Sequence, residues 1–381
     1  MIRRNTMSHL RRAIFVAFAC LLSPLPPLLY ACPFCNAVQP SFAERRADAD
    51  ALVLAEAAGD GAFVVRQVFD GAALLGKPAT IKADVSNLPE GQLVLLLGRH
   101  DPDATSEPWN WLSEPVDEAS LAYYVRAPSV KLPAVERMPY FVKYLEHADA
   151  DVAEDAFREF GRAPFEAVAA VADGFPYASL RTWLADAAVP GERKGFYGMA
   201  LGLAPPGVER DANRTLLRQM VVAPAGEFRA GFDGILGGLL LIDGTAALDL
   251  VDERILRNPQ AAEGDVRHAQ TALRFYLQYG RGVPEARLIA SVASLLDRPA
   301  TAPGALQDLT RRRAWGFTAR AEELFLKSSG DDPALDRAVV GYLLVCPEAA
   351  AAQALRKLKS AAPERTAAAV RHAELLGIRG E

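Results

Sequence analysis

The second half of the chain repeats itself, and a repeat constrains a fold more tightly than any single motif. Arg193-Lys194-Gly195-Phe196-Tyr197-Gly198-Met199 is matched by Arg229-Ala230-Gly231-Phe232-Asp233-Gly234-Ile235, 36 residues further on, and looser copies start at Arg267 and Arg337. Between them lie apolar segments at Leu216 to Val222, Leu248 to Leu256, Leu288 to Leu296 and Ala354 to Lys359. Each runs out near a proline: Pro224, Pro259, Pro299 or Pro363. A helix pair recurring every 35 to 40 residues cannot bury its apolar face alone, so neighbours must stack, which predicts an α-solenoid. Gly195, Gly198, Gly231, Gly234, Gly237 and Gly238 recur at equivalent places in these helices. A glycine inside a helix costs about 1 kcal/mol relative to alanine, so the recurrence predicts close backbone contact between adjacent helices. The run Gly234 to Ile242 is apolar all round, as expected of a buried middle helix, and is too short to span a membrane.

Helical periodicity begins after Ala127-Pro128 and Leu132-Pro133. Met138, Phe141, Val142 and Leu145 share one helical face; Val152, Ala153, Ala156, Phe157 and Phe160 share the next. The stretch LEHADADVAEDAFREF (145–160) resembles the turn and second helix of HEAT-like repeats, and Asp149 or Asp151 is placed to cap it. These changes set a domain boundary: a β domain over 32–128, a linker over 129–134 and an all-α, HEAT-like solenoid over 135–381.

Before that boundary the pattern is extended. Ala51 to Glu56, Ala62 to Phe69, Ala79 to Ala83, Gln92 to Leu97 and Leu121 to Arg126 are short, rich in branched, Leu or aromatic residues, and bounded by turn formers. A short helix is predicted within Phe42 to Asp50. Five strands in about 80 residues predict a small barrel or sandwich. The layout of a Cys-bearing mature N-terminus, then DALVLAEA, then FVVRQVFDGAALLG, then a strand pair resembles the OB-fold module of netrin and tissue-inhibitor-of-metalloprotease proteins. That resemblance implies inhibition of a metalloprotease through Cys32. The segment from His100 to Glu118 reads as a polar loop with three prolines, on which His100, Trp109 and Trp111 are a candidate partner contact; the competing reading has both indoles covering the barrel's open end. His100, Asp101 and Asp103 could suggest a metal cluster, but carboxylates in such loops more often solvate turns, and no metal site is assigned.

The first 31 residues have the parts of a secretory signal: Arg3, Arg4, Arg11 and Arg12, then an apolar run from Ala13 to Leu22, then an approach to Ala31. Export to the periplasm or cell surface is the expectation. The chain has 42 basic and 47 acidic residues, a net charge of −5; loss of the signal removes four arginines and no acid, leaving 38 against 47, or −9. Nucleic acid is an improbable partner for so acidic a protein. Removal of the signal also takes Cys20, leaving Cys32, Cys35 and Cys346. Leu335, Ala338, Val339, Tyr342, Leu343 and Cys346 form one apolar helical stripe, which makes Cys346 a core residue.

Ala31-Cys32-Pro33-Phe34-Cys35 looks like a glutaredoxin motif, yet it lacks the preceding strand and following helix that lower a thiol pKa. Cys32 and Cys35 are therefore read as a structural disulfide, or Cys32 as a lipid anchor on the outer membrane. The chain is also similar to exported bacterial proteins that begin with this Cys-Pro-Phe-Cys and continue into a helical repeat. Arg311-Arg312-Arg313 with Lys327 could meet an anion but reads as a solvated helix face. The glycines lie on helices, so no phosphate loop follows a strand, and no hydrolase or zincin string occurs. No cofactor is expected. The sequence thus predicts an exported interaction or scaffold protein, not an enzyme, that binds a protein partner through a solenoid surface. An inhibitor acting through Cys32 and a thiol-disulfide oxidoreductase using Cys32 and Cys35 are the alternatives.

Overall fold

The computed structural model describes residues 34, 39–84, 88–104, 107–224 and 229–378; the predicted signal segment, Cys32 and Cys35 lie outside them. Helix α1 (Phe42–Ala47) starts at a reciprocal cap. The Ser41 hydroxyl accepts from the Glu44 N–H, and the Glu44 carboxylate accepts from the Ser41 N–H at 3.0 Å. Then follow β1 (Ala51–Ala57), β2 (Ala62–Asp70), a single turn α2 (Ala72–Leu75), β3 (Thr80–Lys82), β4 (Leu93–His100) and β5 (Trp109–Pro115). They form one antiparallel sheet in the order β3-β2-β1-β4-β5. Register shifts between Leu52 and Val53 and between Leu54 and Ala55 break the β1–β2 ladder. Such bulges add twist, in keeping with the curled, half-barrel shape of the sheet.

Alternation along the strands gives the sheet two apolar faces. Val53, Ala55, Phe63, Ile81, Val94 and Leu96 fill the inner one. Leu52, Leu95 and Leu97 point the other way and join the core of the helical region. One continuous core therefore crosses the expected domain boundary.

Four of the five predicted strands form. The fifth does not: Leu121 to Arg126 lies in helix α3 (Glu118–Arg126). Asp117 and Ser120 cap it reciprocally, with Ser120 N–H to Asp117 Oδ1 at 2.8 Å and Asp117 N–H to Ser120 Oγ at 2.9 Å. Ser120, Tyr123 and Tyr124 then form one buried face, so cap and packing override the β-propensity of Leu-Ala-Tyr-Tyr-Val. The missing strand is β5, inside the segment read as a loop. Pro108 precedes the strand, and Pro115 at its end is compatible with it because its nitrogen faces the open side of an edge strand.

The rest of the chain is helical. In order come α4 (Ala134–Phe141), α5 (Ala150–Arg162), α6 (Phe165–Ala170), α7 (Tyr177–Ala185), α8 (Gly191–Gly202), α9 (Val208–Val222), α10 (Phe232–Asp243), α11 (Thr245–Val251) and α12 (Glu263–Tyr279). They are followed by α13 (Glu285–Ser294), α14 (Ala302–Arg311), α15 (Thr318–Lys327), α16 (Pro333–Val345), α17 (Ala349–Ala361) and α18 (Pro363–Leu375). Alternate helices pack on each other: α8 on α10, α10 on α12, α14 on α16, α15 on α17, α16 on α18. Five of the repeated glycines, Gly195, Gly198, Gly231, Gly234 and Gly238, are where α8 and α10 meet. A Cβ on Gly198 would lie 2.6 Å from the Ile235 nitrogen, and one on Gly238 would overlap the Gly198 carbonyl. Cys346 is buried and free at the end of α16.

A second device ties alternate helices together. Buried Asp265 on α12 takes Arg229, which precedes α10; Asp308 on α14 takes Arg274 on α12 at 2.7 Å; Asp336 on α16 takes Arg365 on α18 at 2.6 Å. Each buried carboxylate is thus met by an arginine from outside its own helix. Such pairs add little net stability, since desolvation offsets much of the attraction.

Candidate functional site

The free edge of the sheet carries the aromatic residues singled out in the sequence. His100 ends β4 and pairs with Trp109 on β5; Gly98 pairs with Trp111. Trp109 and Trp111, two residues apart, point to the same face and stack with centroids 5.3 Å apart, and His100 meets Trp109 edge-on at 5.1 Å. Gly98 is the floor beneath them. A Cβ there would come within 2.5 Å of the Trp111 ring and 2.9 Å of Trp109. Both indoles therefore lie flat across β4, half-buried, with Trp111 resting on the inner-face core. On the opposite face Leu112 is 58% exposed.

Backbone geometry adds a second property. The Val116 N–H donates to Leu93 O at 2.9 Å and the Asp101 N–H to Pro108 O at 2.7 Å. With the register of β4 and β5, this fixes which residues bond across the pair. Asn110, Leu112 and Glu114 turn their N–H and C=O groups toward β4; Trp109, Trp111 and Ser113 turn theirs to the open side. An edge of this kind is a template for another strand. Its ends are acidic, with Asp101, Asp103 and Glu107 at one and Asp117 and Glu118 at the other, while Glu114 is held by Arg45 at 2.7 Å.

A different constellation, missed in the sequence, lies where α1, α3, α4 and α5 meet. Asp155 and Glu159, one turn apart on α5, are 2% and 3% exposed. Asp155 accepts from the Phe42 N–H at 2.5 Å and the Tyr123 hydroxyl at 2.8 Å; Glu159 accepts from the Ser41 hydroxyl at 2.5 Å and pairs with Arg137. Their signal was present as two acids on the apolar stripe Val152, Ala156, Phe160. Burial pushes Asp155 up from 3.8 to about 6 against the pull of those two donors, and pushes Glu159 up as well. The same burial raises Tyr123. Ser41 is itself fully buried, so the cluster latches the N-terminal helix to α5 rather than meeting a substrate.

The latch has a pH signature. The folded chain keeps the Asp155 proton to higher pH than the unfolded chain, so this contribution is fully present below about pH 3.8 and lost as pH rises through about 6. Asp155→Asn removes the loss. Its stability relative to the parent should rise by about 2 to 3 kcal/mol between pH 4 and pH 7.5 in urea unfolding; a difference that stays flat would show that Asp155 ionises freely in the fold.

Phe34 is the one described residue of the Cys-Pro-Phe-Cys motif, and it is 6% exposed. Its ring meets Phe275 edge-on at 4.8 Å, and a Cβ on Gly237 would lie 2.8 Å from its Cζ. Phe34 is therefore seated where Gly195 of α8 and Gly237 of α10 leave room beside Phe275 of α12. Elsewhere, a cleft of about 490 Å³ lies among Met138, Val142, Lys143, Phe175, Ser179 and Trp183. Arg311 pairs with Asp308, Arg312 with Glu285 and Lys327 with Glu323, so that face is largely neutralised from within. Among the described residues, no group of three or more His, Cys, Asp or Glu is placed to hold a metal ion, and no helix is long and apolar enough to cross a membrane. Comparison of the chain with protein-family models, with curated proteins and with solved structures finds no match.

Proposed function

We propose that the chain is an exported cell-envelope protein that binds a protein partner. The contact is the open β5 edge with its aromatic ledge, and the helical region, read as a HEAT-like solenoid behind an OB-like β module, is the frame that holds it. The observation that carries this reading is the coincidence of the two stacked indoles with a strand edge whose backbone groups face outward. Large, rigid aromatic groups at a surface supply contact area at small entropic cost, and tryptophan is enriched where binding energy concentrates. The helical faces offer less, because much of their charge is already paired within and between helices. In this reading Cys32 and Cys35 form a structural bridge on either side of Phe34, which is buried.

The test is mild crosslinking of the full chain in envelope extracts, with Trp109→Ala/Trp111→Ala alongside the parent. A partner captured by the parent should fall at least tenfold with the double variant while circular dichroism shows the same helix content. Equal capture by both would place the contact elsewhere.

A further inference from the structure

Resting on that reading of the β5 edge, we propose that the partner supplies an extended segment that adds to the sheet as a sixth strand, with an uncharged β-forming centre flanked by Lys or Arg at both ends. The backbone argues for a strand. Trp109, Trp111 and Ser113 each present an unbridged C=O and N–H at alternate positions, the spacing an antiparallel or parallel neighbour requires. Pro115, the next outward-facing position after Ser113, carries no N–H and ends the ladder there. Side chains argue for the centre of the segment. Every second residue of an added strand would lie beside Trp109 and Trp111, where β-branched and aromatic neighbours pack best, and the others beside exposed Leu112.

Charge argues for the flanks. Asp101, Asp103 and Glu107 sit beyond one end and Asp117 and Glu118 beyond the other. Among the described residues none of these five is in an ion pair. Nearby cations are otherwise engaged or displaced: Arg45 holds Glu114, and Arg99 pairs with Asn110 on the face away from the indoles. The same acids disfavour a second copy of this chain. Antiparallel pairing of β5 with itself about Trp111 would set Asp101, Asp103 and Glu107 of one copy near Asp117 and Glu118 of the other, like charge against like.

The experiment measures binding of capped seven-residue peptides to the full chain by tryptophan fluorescence and calorimetry. The probes are Lys-Val-Thr-Val-Thr-Val-Lys, the same centre with Glu at both ends, and the Lys peptide with alternate backbone nitrogens methylated in each of the two possible phases. The Lys peptide should bind at least tenfold more tightly than the Glu peptide, with the difference shrinking as salt rises. One methylation phase should abolish binding and the other leave it nearly intact, and Trp111→Ala should weaken binding at least tenfold. Equal binding of Lys and Glu peptides, indifference to methylation in both phases, or no binding of any peptide overturns the inference. Self-association of the free chain that is lost with Trp111→Ala would identify a second copy as the occupant and overturn it too. The reading beneath is tested separately: if no peptide binds yet crosslinked capture still depends on Trp109 and Trp111, the ledge remains the contact and the added strand fails.

Discussion

Gly238→Ala and Gly234→Ala are each expected to destabilise the chain by about 3 kcal/mol or more, the upper end of the range for overfilling a packed interior. A Cβ at Gly238 would overlap the Gly198 carbonyl, and one at Gly234 would overlap the Gly195 carbonyl and come 2.6 Å from the Gly195 Cα. These obstacles are the backbone of α8, not the far end of a flexible side chain. Relief requires α8 and α10 to move apart, which loosens the contact along their length. Alanine's better helix propensity, about 1 kcal/mol, recovers only part of this. Gly341 in α16 is the control: nothing lies within 4 Å of where its Cβ would be. Gly341→Ala should be neutral or stabilising by up to about 1 kcal/mol. Urea unfolding of the three variants should give opposite signs, and a Gly238→Ala chain as stable as Gly341→Ala would mean that α8 and α10 do not touch through their backbones.

Phe34→Ala should cost about 3 to 5 kcal/mol, the range for deleting a buried aromatic side chain. The ring is enclosed by Phe275 and by the surfaces that Gly195 and Gly237 leave open: a Cβ on Gly195 would lie 2.9 Å from Phe34 O, as one on Gly237 would lie 2.8 Å from Phe34 Cζ. Gly237→Ala should therefore be destabilising when Phe34 is present and much less so in the Phe34→Ala background, where the new methyl group enters the space the ring left. A double-mutant cycle reads that coupling directly. Additive effects, or a loss below about 1 kcal/mol for Phe34→Ala, would remove the N-terminal motif from the helical core.

What was legible in the sequence follows from which interactions are local. The glycine repeat could be read because the glycines of α8 face those of α10 about one unit later, Gly195 against Gly231 and Gly234, Gly198 against Gly234 and Gly238, so the close approach of the two helices left a periodic trace. Four strands could be read because turn formers bound them. The fifth was exchanged for a helix because Leu-Ala-Tyr-Tyr-Val has strand-forming composition while its identity is set by the Asp117–Ser120 cap and by burial of Tyr123 and Tyr124. Trp109 to Pro115 looked like a loop because its segment carries prolines, and Pro115 is forbidden in a central strand but not where its nitrogen faces an open edge. Trp109, Trp111 and His100 were recognised by type, though not their shared face, which depends on Gly98. The Asp155–Glu159 latch joins residues 113 and 118 positions apart in the chain. Only its two acids on an apolar stripe were visible, and their partners Ser41, Phe42, Tyr123 and Arg137 lie on three other elements. The ladder of Arg229–Asp265, Arg274–Asp308 and Arg365–Asp336 was hidden for a related reason, since Arg and Asp are ordinary surface residues until a neighbouring helix buries the carboxylate.

The claim that a partner pairs with β5 is tested most directly by residue-resolved amide exchange of the chain, free and bound to its crosslinking partner or to the Lys-flanked peptide. In the free chain the amides of Asn110, Leu112 and Glu114, which face β4, should be protected and those of Trp109, Trp111 and Ser113 should exchange quickly. On binding, the account predicts that these three amides, and not their alternates, gain at least tenfold protection. Saturated binding that leaves Trp109, Trp111 and Ser113 exchanging as they do in the free chain would contradict it.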